Sequence, residues 1–317
     1  MTSLTSSITR PAPWLARIML VIAAAAWGAG YTFEKVALRQ MSVQWIMGIR
    51  LLISVSILTP LMWGKFKRSH PLNLLIPGLL LGVTYWGAFM FQMQGLRTIG
   101  PGRNSFLTAT YCVLVPFLVW AVAHRRPSLR NFIAALLCIV GVGLISLSPN
   151  DSAHLSLSSG DLLTLVGAAF YGANIVLAGG LAKKFDATVL TYYELLIAGI
   201  LFLIGAVFTE PAPGVSAFQP QVIGSLAYLI VVSTLIAQNL QNIAFSQVPA
   251  SQGSLILCTE SLFGMLISVL VLGEKLTIAH IAGFAVIFSA IVVSETNFNF
   301  RRKSTQSNVL PANTHQI

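Results

Sequence analysis

The chain has 317 residues, 56% hydrophobic and only 9% charged, with a net charge of +10. A soluble domain carries about 25% charged residues, so there is too little polar surface here to face water, and lipid must solvate most of the exterior. The three cysteines, Cys112, Cys138 and Cys258, have no close spacing, which excludes a sequence-readable disulfide frame or metal site.

A bilayer core of about 30 Å needs roughly 20 apolar residues per helix. Behind a polar tail at 1–13, the pattern predicts spans at 14–33, 43–63, 73–95, 104–123 and 131–149. Five more follow at 161–181, 187–208, 221–246, 250–272 and 278–294, before a basic polar tail at 299–317. The predicted fold class is an all-α integral membrane protein with ten transmembrane helices. The first stretch superficially resembles a cleaved leader, but it has a repeat partner deep in the chain and is read as a span.

With the N-terminus placed in the cytoplasm, thirteen of the nineteen Lys and Arg fall on the cytoplasmic side, among them Lys67, Arg68, Arg125, Arg126, Lys184 and Arg301. Lys35, Arg39, Arg97, Arg103 and Lys275 fall on the other side, and Arg50 lies within a span. This positive-inside bias predicts both termini in the cytoplasm of a cell membrane. The basic excess is orientation chemistry: the expected partner is the lipid bilayer, and no nucleic acid is implied.

The sequence repeats. A shift of 144 lays AAWGAGYTFEKVALRQ from Ala25 over AFYGANIVLAGGLAKK from Ala169, and RLLIS from Arg50 over ELLIA from Glu194. A shift of 149 lays FQMQGLRTIGPGRNSFL from Phe91 over LQNIAFSQVPASQGSLI from Leu240, with the insertion placed around 211–220. The repeats are therefore 14–149 and 161–294, five spans each. Five is odd, so the second repeat enters the membrane from the opposite side. Inverted halves related by an axis in the membrane plane are a common construction of secondary transporters, which expose a central site to each side in turn.

WGAGYTFEK, QGLRTIGPGRNSFLTATYCVLVP and SQGSLILCTESLFGMLISVLVLGEKLTIAHIAGFAVI resemble the drug/metabolite transporter superfamily, specifically its ten-helix EamA-type exporters. The resemblance implies export of amino acids, amines or other small metabolites. Two departures stand out. Arg125 occupies the place of Glu274 under the 149 shift, and Glu260-Ser261 stands where many relatives have Glu-Pro. The second departure predicts loss of a helix kink.

Ionisable residues inside spans are functional candidates, because exposing them to lipid is costly. Arg50, Glu194 and Glu260 qualify. Burial of Glu260 near mid-span suits a proton carrier, an ammonium-binding carboxylate, or a protonated glutamate bonded to a neighbouring helix. Arg50 and Glu194 are repeat mates, readable as a charge pair, as contacts for the two ends of a zwitterion, or as a structural lock. Glu34 and Glu274 read as charges near span ends. Tyr31, Trp86, Gln92, Tyr111, Asn174, Tyr193, Gln238 and Gln241 are uncharged candidates for lining a cavity that suits an amphipathic small molecule.

The expected function is a secondary transporter of small metabolites, with protons as a candidate coupling ion and no cofactor. A membrane-embedded enzyme and a receptor or scaffold are the alternatives. Against the enzyme, Asp151, Asp161 and Asp186 map to loops or span edges, and no His-Glu-x-x-His or Walker loop occurs. The fifth and tenth spans lack charged, amide and tyrosine side chains apart from Asn131 and His280 near their starts. They are expected at the periphery, as braces or as a homodimer contact, with spans one to four and six to nine around the cavity.

Overall fold

A computed structural model describes residues 11–66, 71–124, 126–146 and 158–295. The distal tails (1–10 and 299–317) and the loop positions Lys67, Arg68, Arg125 and Asp151 lie outside the described residues. Among the described residues the chain is helical throughout, with no strand.

The first half comprises α1 (Pro13–Ala37), α2 (Val43–Phe66), α3 (Pro71–Thr98), α4 (Pro101–Ala109), α5 (Tyr111–Ala123) and α6 (Leu129–Ser146). The second comprises α7 (Ser159–Leu181), α8 (Ala187–Thr209) and α9 (Pro220–Tyr228), a π-helical stretch from Leu229 to Gln238, then α10 (Asn239–Phe245), α11 (Ala250–Leu257), α12 (Glu260–Leu272) and α13 (Ile278–Glu295). Counting α4–α5, α9–α10 and α11–α12 as single interrupted spans gives five spans per half. Seven of the spans are long and apolar enough to cross a bilayer unaided, and α6, α12 and α13 are shorter apolar helices.

Local chemistry explains the boundaries. Pro13, Pro101 and Pro220 open their helices at the first turn, where a missing N–H costs nothing. Ser158 and Asp161 form a capping box on α7, and the Asp186 carboxylate accepts from the Thr188 and Val189 amides at the start of α8. α5 and α12 end at His124 and Gly273, repeat mates that both adopt the left-handed conformation of a helix cap.

The packing has two-fold character. α2 packs on α8 and α6 on α13, each pair being repeat equivalents, while α4 packs on α12 as its mate α11 packs on α5. α3 packs on α7 as the π-helical stretch and α10 pack on α1, while α1 meets α12 as α7 meets α5, and α1 meets α11 as α7 meets α4. Every major contact thus has its image in the other half, as inverted repeats around one pseudo-two-fold axis require.

Two interruptions differ from the sequence reading, which treated the fourth and ninth spans as continuous and expected Ser261 to remove a kink. Both spans break, at the repeat mates Thr110 and Thr259. The hydroxyl of Thr110 donates to the Leu107 carbonyl at 2.7 Å, and that of Thr259 to the Ile256 carbonyl at 2.7 Å. Ser261 adds a third such bond, to the Cys258 carbonyl at 2.8 Å. Hydroxyls bonded to carbonyls three residues back tighten the turn and bend the helix without proline. The π-helical stretch is a third departure: the Thr234 hydroxyl reaches the Leu229 carbonyl, five residues back, at 2.8 Å.

Candidate functional site

The breaks carry two side chains to the centre. Tyr111 is the first residue of α5 and Glu260 the first of α12, and both face one cavity. Trp27, Tyr31 and Glu34 of α1, Phe89 and Gln92 of α3, Tyr171 and Ile175 of α7, Ser233, and Gln241 of α10 complete the lining. Eight of these eleven residues form four pairs of repeat mates: Trp27 with Tyr171, Tyr31 with Ile175, Gln92 with Gln241, and Tyr111 with Glu260. The cavity therefore sits on the pseudo-two-fold axis. Its volume is about 20 Å³, room for about one water.

Glycine sets how closely the lining helices approach. A Cβ on Gly28 would lie 2.6 Å from the Glu260 carbonyl oxygen and 2.5 Å from the Phe263 Cβ. The repeat mate Gly172 sits 3.6 Å from the Tyr111 carbonyl oxygen by the same measure. The two seams are images of one another, and each presses α1 or α7 against the element that presents Glu260 or Tyr111.

Glu260 is buried, and the Tyr31 hydroxyl donates to its Oε1 at 3.5 Å. Among the described residues no cation pairs with it. Its place in the first turn of α12, rather than mid-helix, sets it at the positive end of the helix dipole.

Arg50 and Glu194 do not pair with each other. Arg50, 0% exposed, donates from Nη1 to Glu34 Oε1 at 2.8 Å, from Nε to Thr234 Oγ1 at 2.6 Å and from Nη2 to Ser233 Oγ at 2.8 Å. Its guanidinium lies 5.0 Å from the Phe89 ring centroid. Glu34, which the sequence reading set aside as a span-end charge, is therefore the buried partner of Arg50 and part of the cavity wall. Its other oxygen accepts from Gln92 Nε2 at 3.3 Å, while Gln92 Oε1 accepts from the Tyr171 hydroxyl at 3.3 Å. Sequence could have found Glu34 from its sixteen-residue separation from Arg50 across one hairpin, but only by fixing the register of α1 against α2.

Glu194, 0% exposed, accepts from Asn174 Nδ2 at 2.8 Å, Gln238 Nε2 at 3.0 Å and Asn242 Nδ2 at 2.9 Å. It does not line the cavity. Of the other candidates, Tyr31, Gln92, Tyr111, Gln241 and Glu260 line the cavity, while Asn174 and Gln238 surround Glu194. Two are elsewhere. Trp86 packs against Phe202, and Tyr193 is partly exposed beside Tyr192, packed over Gly78. Trp27, Phe89 and Ser233 are lining residues that sequence did not single out.

No residue of α2 or α8 lines the cavity, so the expected eight-span wall is six spans: one, three, four, six, eight and nine. Among the described residues α6 and α13 also contribute none. Phe288 instead lines a separate apolar pocket of about 370 Å³ beside Phe106, Leu276 and Phe284.

One end of the bundle is tied by polar contacts. Arg103 forms a two-pronged pair with Asp161, Nε to Oδ1 at 2.8 Å and Nη2 to Oδ2 at 2.6 Å. Both are buried, so neither is the loop charge that sequence placed there. Lys35 caps carbonyls at the end of α3 and in the turn beyond, bonding Leu96 at 2.5 Å and Ile99 at 2.9 Å. Glu274 accepts from the Gly102 amide at 2.9 Å, capping α4 across the bundle.

Inverted five-span halves around a central, partly polar cavity define a multi-pass membrane protein of the transporter type. The model of the EamA-like transporter family matches residues 14–147 and again 158–296, and the chain belongs to that family. It is 29% identical to an uncharacterized transporter of Archaeoglobus fulgidus over 87% of this chain and 84% of that one. It is 23% identical to the threonine/homoserine exporter RhtA of Escherichia coli K12, over 90% of this chain and 92% of that one. A solved crystal structure, 13% identical, shares the fold with a TM-score of 0.65, over 90% of this chain and 96% of that one.

Proposed function

We propose that the chain exports small amphipathic metabolites by alternating access, with both termini in the cytoplasm. The observation that carries this reading is the convergence of four repeat-mate pairs on one cavity containing a buried carboxylate, Glu260, with no cationic partner among the described residues. A site on the axis of inverted repeats is reached from either side by equivalent motions of the two halves. In the proposed orientation the end tied by Arg103–Asp161, Lys35 and Glu274 faces outward, and opening to that side breaks those contacts.

Glu260 serves as the exchangeable charge: it holds a proton in one half of the cycle and a substrate ammonium in the other. Trp27, Tyr31, Phe89, Tyr111 and Tyr171 supply aromatic faces that suit both the ammonium and the apolar part of such a substrate. The likeness to an exporter named for threonine and homoserine supports an amino-acid or amine substrate. Arg50, with its donors on Glu34, Ser233 and Thr234, acts as the lock within the bundle.

The test is flux in proteoliposomes containing only this protein, with substrates drawn from a resistance screen of an overexpressing strain against toxic amino-acid and amine analogues. Wild type is expected to show uptake driven by a pH gradient. Glu260→Gln is expected to fold and to lose the drive. Unchanged gradient-driven flux in that variant would return Glu260 to a structural role.

A further inference from the structure

The surroundings of Arg50 and Glu194 are images of one another, and the comparison exposes a missing charge. Arg50 is held by Glu34, Ser233, Thr234 and the Phe89 ring. The repeat mates of those four residues are Ala178, Thr84, Tyr85 and Gln238. Three of them lie on the elements around Glu194: Gln238 bonds it directly, Thr84 shares the Asn174 amide that also bonds it, and Tyr85 sits on α3, which packs against α8. The fourth is the exception. Where the first half supplies a fixed counter-charge, Glu34, the second supplies the methyl group of Ala178.

Glu194 is thus a buried charge whose countercharge the chain does not provide among the described residues. Three amides bond it, and two further oxygen groups of this cluster have no hydrogen-bond partner among the described residues. These are the Tyr85 hydroxyl, 2% exposed, and Gln238 Oε1, 1% exposed. A buried carboxylate without a countercharge is costly unless neutralised, and orphaned oxygens are costly unless they accept or coordinate something. A small cation answers both needs at once. Of the elements packed against α8, α3 carries Tyr85 and α2 carries Arg50, which is already committed to Glu34.

We propose that Glu194, with Gln238, Asn242 and Tyr85, forms a second site, distinct from the cavity, that binds an exchangeable monovalent cation: a proton or an alkali metal ion. The eighth span links it to the cavity. Gln238 and Asn242 hold Glu194, while Ser233 and Gln241 of the same span line the cavity, and Gln241 Nε2 donates to Asn242 Oδ1 at 3.5 Å. Filling the second site therefore shifts residues that touch the first. A role for this cation in driving flux rests on the proposed transport function; the site itself is a matter of binding.

The test is thermal unfolding of the purified protein at constant ionic strength, in NaCl or KCl against choline chloride, and in choline chloride from pH 8.5 to 5.5. Wild type is expected to show a saturable rise in Tm of about 2–5 °C. Dependence on sodium or potassium identifies an alkali ion; dependence only on falling pH identifies a proton. Glu194→Gln is expected to abolish the response, whereas Glu260→Gln keeps the alkali response, or a pH response that Glu194→Gln removes. A flat wild type, or an undiminished response in Glu194→Gln, overturns the proposal. If Glu194→Gln does not purify, Gln238→Ala is expected to weaken the apparent affinity about tenfold, and an unchanged affinity overturns it equally. A protein that binds the cation but moves no substrate would end the transport reading and leave the site standing.

Discussion

Tyr111 and Glu260 occupy the same position in the two halves, each the first residue after a hydroxyl-tightened break, and they face one another's cavity wall across the pseudo-two-fold axis. One half brings a phenol to the centre and the other a carboxylate. At this position the two halves share a backbone frame and differ in whether the side chain is a phenol or a carboxylic acid.

Exchange of the two is the first prediction. Glu260→Tyr alone should abolish gradient-driven flux, because no unpaired carboxylate remains in the cavity. The double variant Tyr111→Glu/Glu260→Tyr should recover a measurable part of it, since the carboxylate re-enters from the image position. Equal inactivity of single and double variants, with both folded, would show that the two positions are not equivalent.

The α1–α12 seam gives the second. Gly28→Ala forces a methyl group against the backbone of Glu260, and overpacking of this kind costs about 1–3 kcal/mol. Lower Tm and reduced yield are expected. Gly180→Ala, with nothing within 4 Å of the added methyl, should match wild type in the same unfolding assay.

The buried Arg50–Glu34 pair gives the third. Arg50→Met should destabilise by about 3–5 kcal/mol, because it leaves Glu34 buried without a countercharge. Arg50→Met/Glu34→Met should be more stable than Arg50→Met. A double-mutant cycle by denaturant unfolding measures the coupling, and additive losses would mean that the ion pair contributes nothing of its own.

Topology is the fourth. Single cysteines at Lys184 and Gly214, both exposed, should label from opposite sides in intact cells: Gly214→Cys with an impermeant thiol reagent, Lys184→Cys only after permeabilisation. The native Cys112, Cys138 and Cys258 are buried and are removed from the background. Labelling of Lys184→Cys from outside reverses the proposed orientation.

Composition and repetition alone determined that the chain is a membrane protein of two inverted five-span halves, because the bilayer imposes span length and an odd span number imposes inversion. They also marked Arg50, Glu194 and Glu260, since an ionisable residue in an apolar run is visible without coordinates. The tertiary structure decided what those residues meet. Glu34 and Asp161 looked like span-end charges, yet one pairs with Arg50 and the other with Arg103. Membrane depth along one helix does not say which neighbour a side chain faces. The breaks at Thr110 and Thr259 were likewise hidden, because a threonine that bends a helix differs from one that does not only in where its hydroxyl points. Partner choice is a property of register between helices from distant parts of the chain, and that register is set by close approaches such as Gly28 on Glu260, which exist only once the bundle has packed.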